Sequence, residues 1–238
     1  LKGADRLRSA QAVLYDALVQ DEVLELAPRS ARRVFVGKRD RLHALPQEEI
    51  NALLVRLSRQ GLRVVRLKGG DPFLFGRGGE EAEALARAGL PWEVVPGVSS
   101  CLAVPAAAGI PVTDRRVSSM VTVVAGHVCE KGAAGPDVDW ARISPRGTLV
   151  VLMGLAGLEG LCRRLLALGW AEDTPAAALA SVGWPGEAVA VSDLRGLPRE
   201  ARRRGLAAPA VIVIGEAVRM RDTLHAAEAV AAGVGGPS

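Results

Sequence analysis

The stretch Val64-Val65-Arg66-Leu67-Lys68-Gly69-Gly70-Asp71-Pro72 decides the fold. Its β-branched run is the pattern of a buried strand, and it feeds directly into Gly-Gly-Asp-Pro, a sequence suited to a tight turn. Open α/β sheets bind ligands beyond the carboxyl ends of their strands, and paired glycines let main chain approach a ligand closely. The stretch reads as a strand ending in a candidate cofactor loop. Taken alone it also fits a plain turn in which Asp71 accepts an Asx hydrogen bond. No Gly-Lys-Ser/Thr follows, so it is not a phosphate-cradling P-loop, and its glycines lack the spacing of the dinucleotide fingerprint.

On both sides of it, short β-branched runs alternate with helical periodicity, an α/β pattern. Strands are expected over 12–15, 33–36, 63–67, 92–95, 120–125 and 149–153, with further strands near 176–180, 187–192 and 210–214. Helices are expected over 4–10, 47–60, 80–88, 99–108 and 155–168, and the Gly- and Ala-rich tail over 229–238 reads as frayed. Periodicity lapses over 111–118, which reads as a linker between an N-terminal α/β domain, 1–113, and a C-terminal one, 119–238.

The chain has 238 residues, 49% hydrophobic and 24% charged, enough to bury a core and too apolar for a disordered tail. The most apolar stretch, 94–112, contains Pro96, Pro105 and Pro111, so no membrane span is expected. Leu1 to Arg6 lacks an apolar signal segment, and a cytoplasmic location is expected. Cys101, Cys129 and Cys162 are odd in number and widely spaced, which favours reduced thiols and no metal site. The net charge is +4, and the run Arg202-Arg203-Arg204 lies beside Glu200 with no stacking aromatics, so a nucleic-acid partner is not expected.

The continuation removes the ambiguity of the turn. Phe73-Leu74-Phe75-Gly76-Arg77-Gly78-Gly79-Glu80-Glu81 follows, then Pro96-Gly97-Val98-Ser99-Ser100 and Gly109-Ile110-Pro111. With Tyr15-Asp16-Ala17-Leu18-Val19, Val36-Gly37-Lys38-Arg39, Pro46-Gln47-Glu48-Glu49-Ile50-Asn51 and Ala125-Gly126-His127, this succession resembles the tetrapyrrole (corrin/porphyrin) methylase family, specifically its uroporphyrinogen-III C-methyltransferases. The resemblance covers nearly the whole chain.

It implies a two-domain tetrapyrrole methylase fold with S-adenosylmethionine in the interdomain cleft, S-adenosylhomocysteine as product, and a homodimer. The implied reaction is methylation of uroporphyrinogen III at carbons 2 and 7 to give precorrin-2, in sirohaem or cobalamin biosynthesis. Two other readings stand beside it: a methylase of a later corrin precursor, and a non-catalytic S-adenosylmethionine-binding module. The last holds if the chain truly lacks the family's initial strand and Gly-x-Gly-Pro-Gly-Asp-Pro loop, which are expected ahead of Leu1.

Carried over by position, Asp16 is the proton acceptor and Lys38 the proton donor. The cofactor residues are Gly69, Gly70, Asp71, Leu74, Ser99, Ser100, Met153 and Gly183, the last with a one-residue offset. Arg39, Arg77 and Arg115 are candidate clamps for the substrate's carboxylates. Ala17 stands where the subfamily usually carries arginine. From the residues alone, Asp16 is also a capping residue after an apolar strand, Lys38 a solvated turn residue, and Met153 a core side chain.

Overall fold

Ala12, Val13 and Leu14 are apolar at successive positions, so the strand they form must be covered on both faces. In the computed structural model, which describes residues 1–37, 45–126 and 138–233, all three are fully buried. They belong to β1 (Ala12–Tyr15), the centre of a parallel sheet ordered β2-β1-β3, with β2 (Arg32–Phe35) and β3 (Val64–Leu67) on either side. Ala12 and Leu14 pack against Ile50, Leu53, Leu54 and Leu57 of α3 (Gln47–Arg59). Val13, on the opposite face, meets Leu7 of α1 (Lys2–Arg8) and Leu24 of α2 (Asp21–Leu24). This unit spans Leu1–Ser99 and also contains α4 (Gly78–Arg87).

The second unit, Ser100–Ser238, opens with α5 (Ser100–Ala107). Its sheet has the order β4-β5-β8-β6-β7, from β4 (Val121–Ala125), β5 (Thr148–Leu152), β6 (Pro175–Ala180), β7 (Ala188–Asp193) and β8 (Ala210–Ile214). Only β4 and β5 pair in parallel; β8 runs antiparallel to both β5 and β6. The helices are α6 (Leu158–Ala167), α7 (Leu197–Arg203) and α8 (Met220–Gly233). Leu161 and Leu165 of α6 and Leu197 and Ala201 of α7 join the strands in the larger core.

Most expected elements fall within a residue or three of these bounds. The stretch 92–95 does not form the expected strand: residues 90–99 carry no ladder among the described residues. Among the described residues its extended propensity has no neighbouring strand to satisfy it, and β3 pairs with β1 alone. The segment is tied instead through Glu93, which forms ion pairs with Lys2 and Arg6 of α1. The chain divides at Ser99/Ser100, ahead of 111–118, and α5 packs on β8 and β5 of the second unit. α2, α7 and α8 were not anticipated, and α8 takes in the first part of the tail expected to fray. Among the described residues, no helix is long and apolar enough to cross a membrane.

Candidate functional site

Because β1, β2 and β3 are parallel and aligned at Tyr15, Phe35 and Leu67, the residues that follow them emerge at one edge of the sheet. That edge carries Asp16, Gly37 and Lys68. A Cβ on Gly37 would lie 3.2 Å from Asp16 Cα and 2.9 Å from the Phe35 ring, so glycine is what lets the second loop lie against the first. Lys38, the next residue, lies outside the described residues, as do Arg39 and His127.

Asp16 is oriented from two sides. Its Oδ1 accepts the Leu18 backbone N–H at 3.0 Å, and its Oδ2 faces Arg66 Nη2 at 3.2 Å. Arg66 Nε is 3.1 Å from Glu81 Oε1, while its Nη1 donates to the Leu67 carbonyl at 2.8 Å. The same Glu81 oxygen accepts from Lys68 Nζ at 3.4 Å and Gln47 Nε2 at 3.3 Å. Burial lowers the pKa of the Lys68 ammonium, the Arg66 cation adds to the effect, and Glu81 opposes it. Sequence reasoning singled out Asp16 but missed Arg66, Lys68 and Glu81 as a group. The available signal was two cations at alternate positions of an otherwise apolar strand, which places them on one face.

Gly69, Gly70, Asp71 and Leu74 form the loop after β3. Gly70 has a φ of +78°, the left-handed conformation glycine favours. Asp71 closes the turn as an Asx acceptor from Phe73 N–H at 2.9 Å, and its other oxygen accepts from Gly97 N–H at 3.1 Å. A Cβ on Gly97 would fall 2.2 Å from the Gly70 carbonyl, and one on Gly69 would fall 3.0 Å from Leu18 Cβ. The loops lie main chain against main chain and are joined by the Asp71 carboxylate. Leu74 donates its N–H to the Asp71 carbonyl at 3.3 Å. Ser99 is buried at the end of the first unit, and Ser100 opens α5 in the second.

In the second unit, β4 and β5 end together at Gly126 and Met153-Gly154. A Cβ on Gly126 would lie 2.4 Å from Gly154 Cα. Met153 is half exposed with a φ of +56°, a conformation rare outside glycine, so it is not the core side chain that composition also allowed. Gly183 sits in the turn after β6 with a φ of +79°, donating its N–H to Glu187 Oε2 at 2.9 Å. Since β6 and β5 both run antiparallel to β8, this turn lies at the same sheet edge as Met153. Of the arginines expected as clamps, Arg77 is engaged by Glu80 at 2.7 Å, and Arg115 is exposed.

The sequence model of the tetrapyrrole (corrin/porphyrin) methylases matches residues 1–198. The chain belongs to this family. The siroheme synthase of Azotobacter vinelandii is 48% identical to it over 219 residues, covering 92% of this chain and 47% of that protein. The chain thus spans about half the length of the curated relatives it matches. A crystal structure of the uroporphyrin-III C-methyl transferase of Thermus thermophilus, complexed with S-adenyl homocysteine, is 39% identical. It has a TM-score of 0.74 and covers 92% of this chain and 91% of that one. A cobalt precorrin-4 methyltransferase scores higher in fold, at 0.80, with only 26% identity over 92% of this chain and 89% of that one. Backbone likeness within this family therefore does not by itself separate substrates.

Proposed function

We propose that this chain is an S-adenosylmethionine-dependent uroporphyrinogen-III C-methyltransferase, adding methyl groups at carbons 2 and 7 to give precorrin-2 for sirohaem or cobalamin synthesis. The observation that carries the reading is 39% identity, over 92% of this chain, with a transferase of that name complexed with the spent methyl donor. A homodimer in the cytoplasm, with no nucleic-acid or membrane partner, belongs to the same reading. The donor fits the residues present. Bare glycines at 69 and 97 let their loops close on Leu18 and on the Gly70 carbonyl, Gly70 takes a left-handed φ of +78°, and Met153 offers an exposed thioether at a strand end. Gly69, Gly70, Asp71, Leu74, Ser99, Ser100, Met153 and Gly183 are the residues assigned to hold it.

S-adenosylmethionine supplies a methyl group already activated on a sulfonium, so positioning for in-line attack by an electron-rich pyrrole carbon supplies most of the catalysis. The chain's own residues bind, orient and move protons. Asp16 takes up the proton that the methylated ring must lose, and Lys38 returns one elsewhere. The Leu18 N–H and Arg66 fix the two Asp16 oxygens in direction. Arginines on this surface meet the substrate's carboxylates through forked hydrogen bonds.

A second reading, methylation of a later corrin precursor, has the fold score of the precorrin-4 enzyme in its favour. The Gly-Arg-Gly-Gly-Glu-Glu run of 76–81 weighs against it, because members acting on later precursors usually lack it. Anaerobic incubation with uroporphyrinogen III and S-adenosylmethionine tests the choice. Absorbance of a dipyrrocorphin product is expected. Turnover of a later corrin precursor in its place overturns the proposal, and S-adenosylhomocysteine binding with no turnover of either identifies a binding module.

A further inference from the structure

We propose that Glu81, which contacts neither donor nor acceptor in the reading above, is the positioning residue for Asp16 and acts on it through Arg66. The inference rests on the proposed methyltransferase function and adds a residue to its machinery.

Glu81 lies in the first turn of α4 with only 5% of its surface exposed. A carboxylate so buried must be compensated, and one of its oxygens, Oε1, meets three donors: Arg66 Nε, Lys68 Nζ and Gln47 Nε2. The three arrive from different places, Arg66 and Lys68 from β3 and its end and Gln47 from the start of α3. Gln47 Nε2 is itself held by Asn51 Oδ1 at 2.9 Å. Gly76 leaves room for the Lys68 side chain, since a Cβ there would come within 3.1 Å of its Cε. The carboxylate is thus pinned, and the guanidinium it grips inherits that order.

Arg66 is a planar fork with few ways to turn. With Nε on Glu81 and Nη1 on the Leu67 and Leu14 carbonyls, Nη2 is what remains, and it points at Asp16 Oδ2. The cluster holds two cations, Arg66 and Lys68, and two anions, Glu81 and Asp16. Removing the Glu81 charge leaves Asp16 to neutralise both cations, so Lys68 competes with Arg66 for the carboxylate that must face the substrate. Burial lowers the pKa of Lys68, and the neighbouring Arg66 cation adds to that effect. Asp16 would then turn away from the geometry that Arg66 and the Leu18 N–H define together.

A double-mutant cycle on the full chain tests this: wild type, Glu81→Gln, Asp16→Asn and the double variant, assayed anaerobically with uroporphyrinogen III and S-adenosylmethionine. Glutamine retains an oxygen for Arg66 Nε, which keeps the variant foldable where leucine would leave the cations unpaired. Glu81→Gln should lower kcat by about 10- to 100-fold, the scale of a small misplacement, with S-adenosylhomocysteine affinity unchanged. In the Asp16→Asn background the same change should alter kcat by less than about twofold, because its route to the reaction is gone. Equal losses in both backgrounds, or a Glu81→Gln turnover matching wild type, overturn the positioning role while wild-type activity leaves the methyltransferase reading standing. An inactive wild type overturns that reading, and this inference with it.

Discussion

Asp71 Oδ2 accepts the Gly97 backbone N–H at 3.1 Å, joining two loops 26 residues apart, while its Oδ1 closes its own turn on Phe73. The loop most characteristic of the sequence is therefore braced by its own aspartate.

Replacing that aspartate by alanine releases both N–H groups. Each lost bond to a charged acceptor is worth about 1.5–3 kcal/mol at most, and exposure to water reduces this, so a roughly tenfold loss of S-adenosylhomocysteine affinity is expected. Folding should survive, because the loop stands at the sheet edge outside the core clusters. Calorimetric titration of Asp71→Ala reads the result; wild-type affinity in a folded variant removes Asp71 from the donor site.

Two glycine-to-alanine substitutions should move in opposite directions. Gly97→Ala drives a methyl group to 2.2 Å from the Gly70 carbonyl, so it should abolish donor binding and destabilise by about 1–3 kcal/mol. Gly160→Ala, inside α6 with nothing within 4 Å of the new Cβ, should stabilise by about 0.5–1 kcal/mol. Urea unfolding midpoints compare them, and a Gly97→Ala protein as stable as wild type would show that the two loops do not meet as described.

Asp16→Asn keeps the size of the side chain and an oxygen for Leu18 N–H but removes the basicity. Turnover should fall by about 100- to 10,000-fold with donor affinity retained. Lys38→Met should behave alike if Lys38 donates a proton, whereas a rise in KM at unchanged kcat assigns it to substrate grip. Near-normal turnover in both variants withdraws acid-base roles from the pair.

Alkaline pH should weaken the second unit through Cys162. Burial in α6 raises its thiol from an ordinary 9.0 to about 12. The folded chain keeps this proton where the unfolded chain has lost it, so the contribution is complete below pH 9 and declines as pH rises toward 12. Lys68 acts with the opposite sign, since its lowered pKa makes stability rise with pH up to the ordinary 10.5. Comparing Cys162→Ala with wild type isolates the thiol: the variant should lose less stability between pH 9 and 11 in urea titrations, and identical slopes would contradict the burial argument.

What could be read in the sequence was local. β1 declared itself by an unbroken apolar run and β3 by a β-branched one, α3 by the spacing of Ile50, Leu53, Leu54 and Leu57, and the candidate site by glycines that only make sense where main chain is crowded. What the tertiary structure decided was pairing. Residues 92–95 have the propensity of a strand, but a strand exists only against a neighbour, and among the described residues β3 offers its hydrogen bonds to β1 alone. α5 reads as a continuation of the first unit and packs on β8 and β5 of the second. Arg66 and Glu81 are 15 residues apart, at either end of the glycine-rich loop that the sequence marks, and only the return of α4 against the sheet buries them together. Local periodicity sets which segments are helix or strand, whereas the partner of a buried charge is fixed by which segments meet, and no short window of sequence holds both halves of that pair.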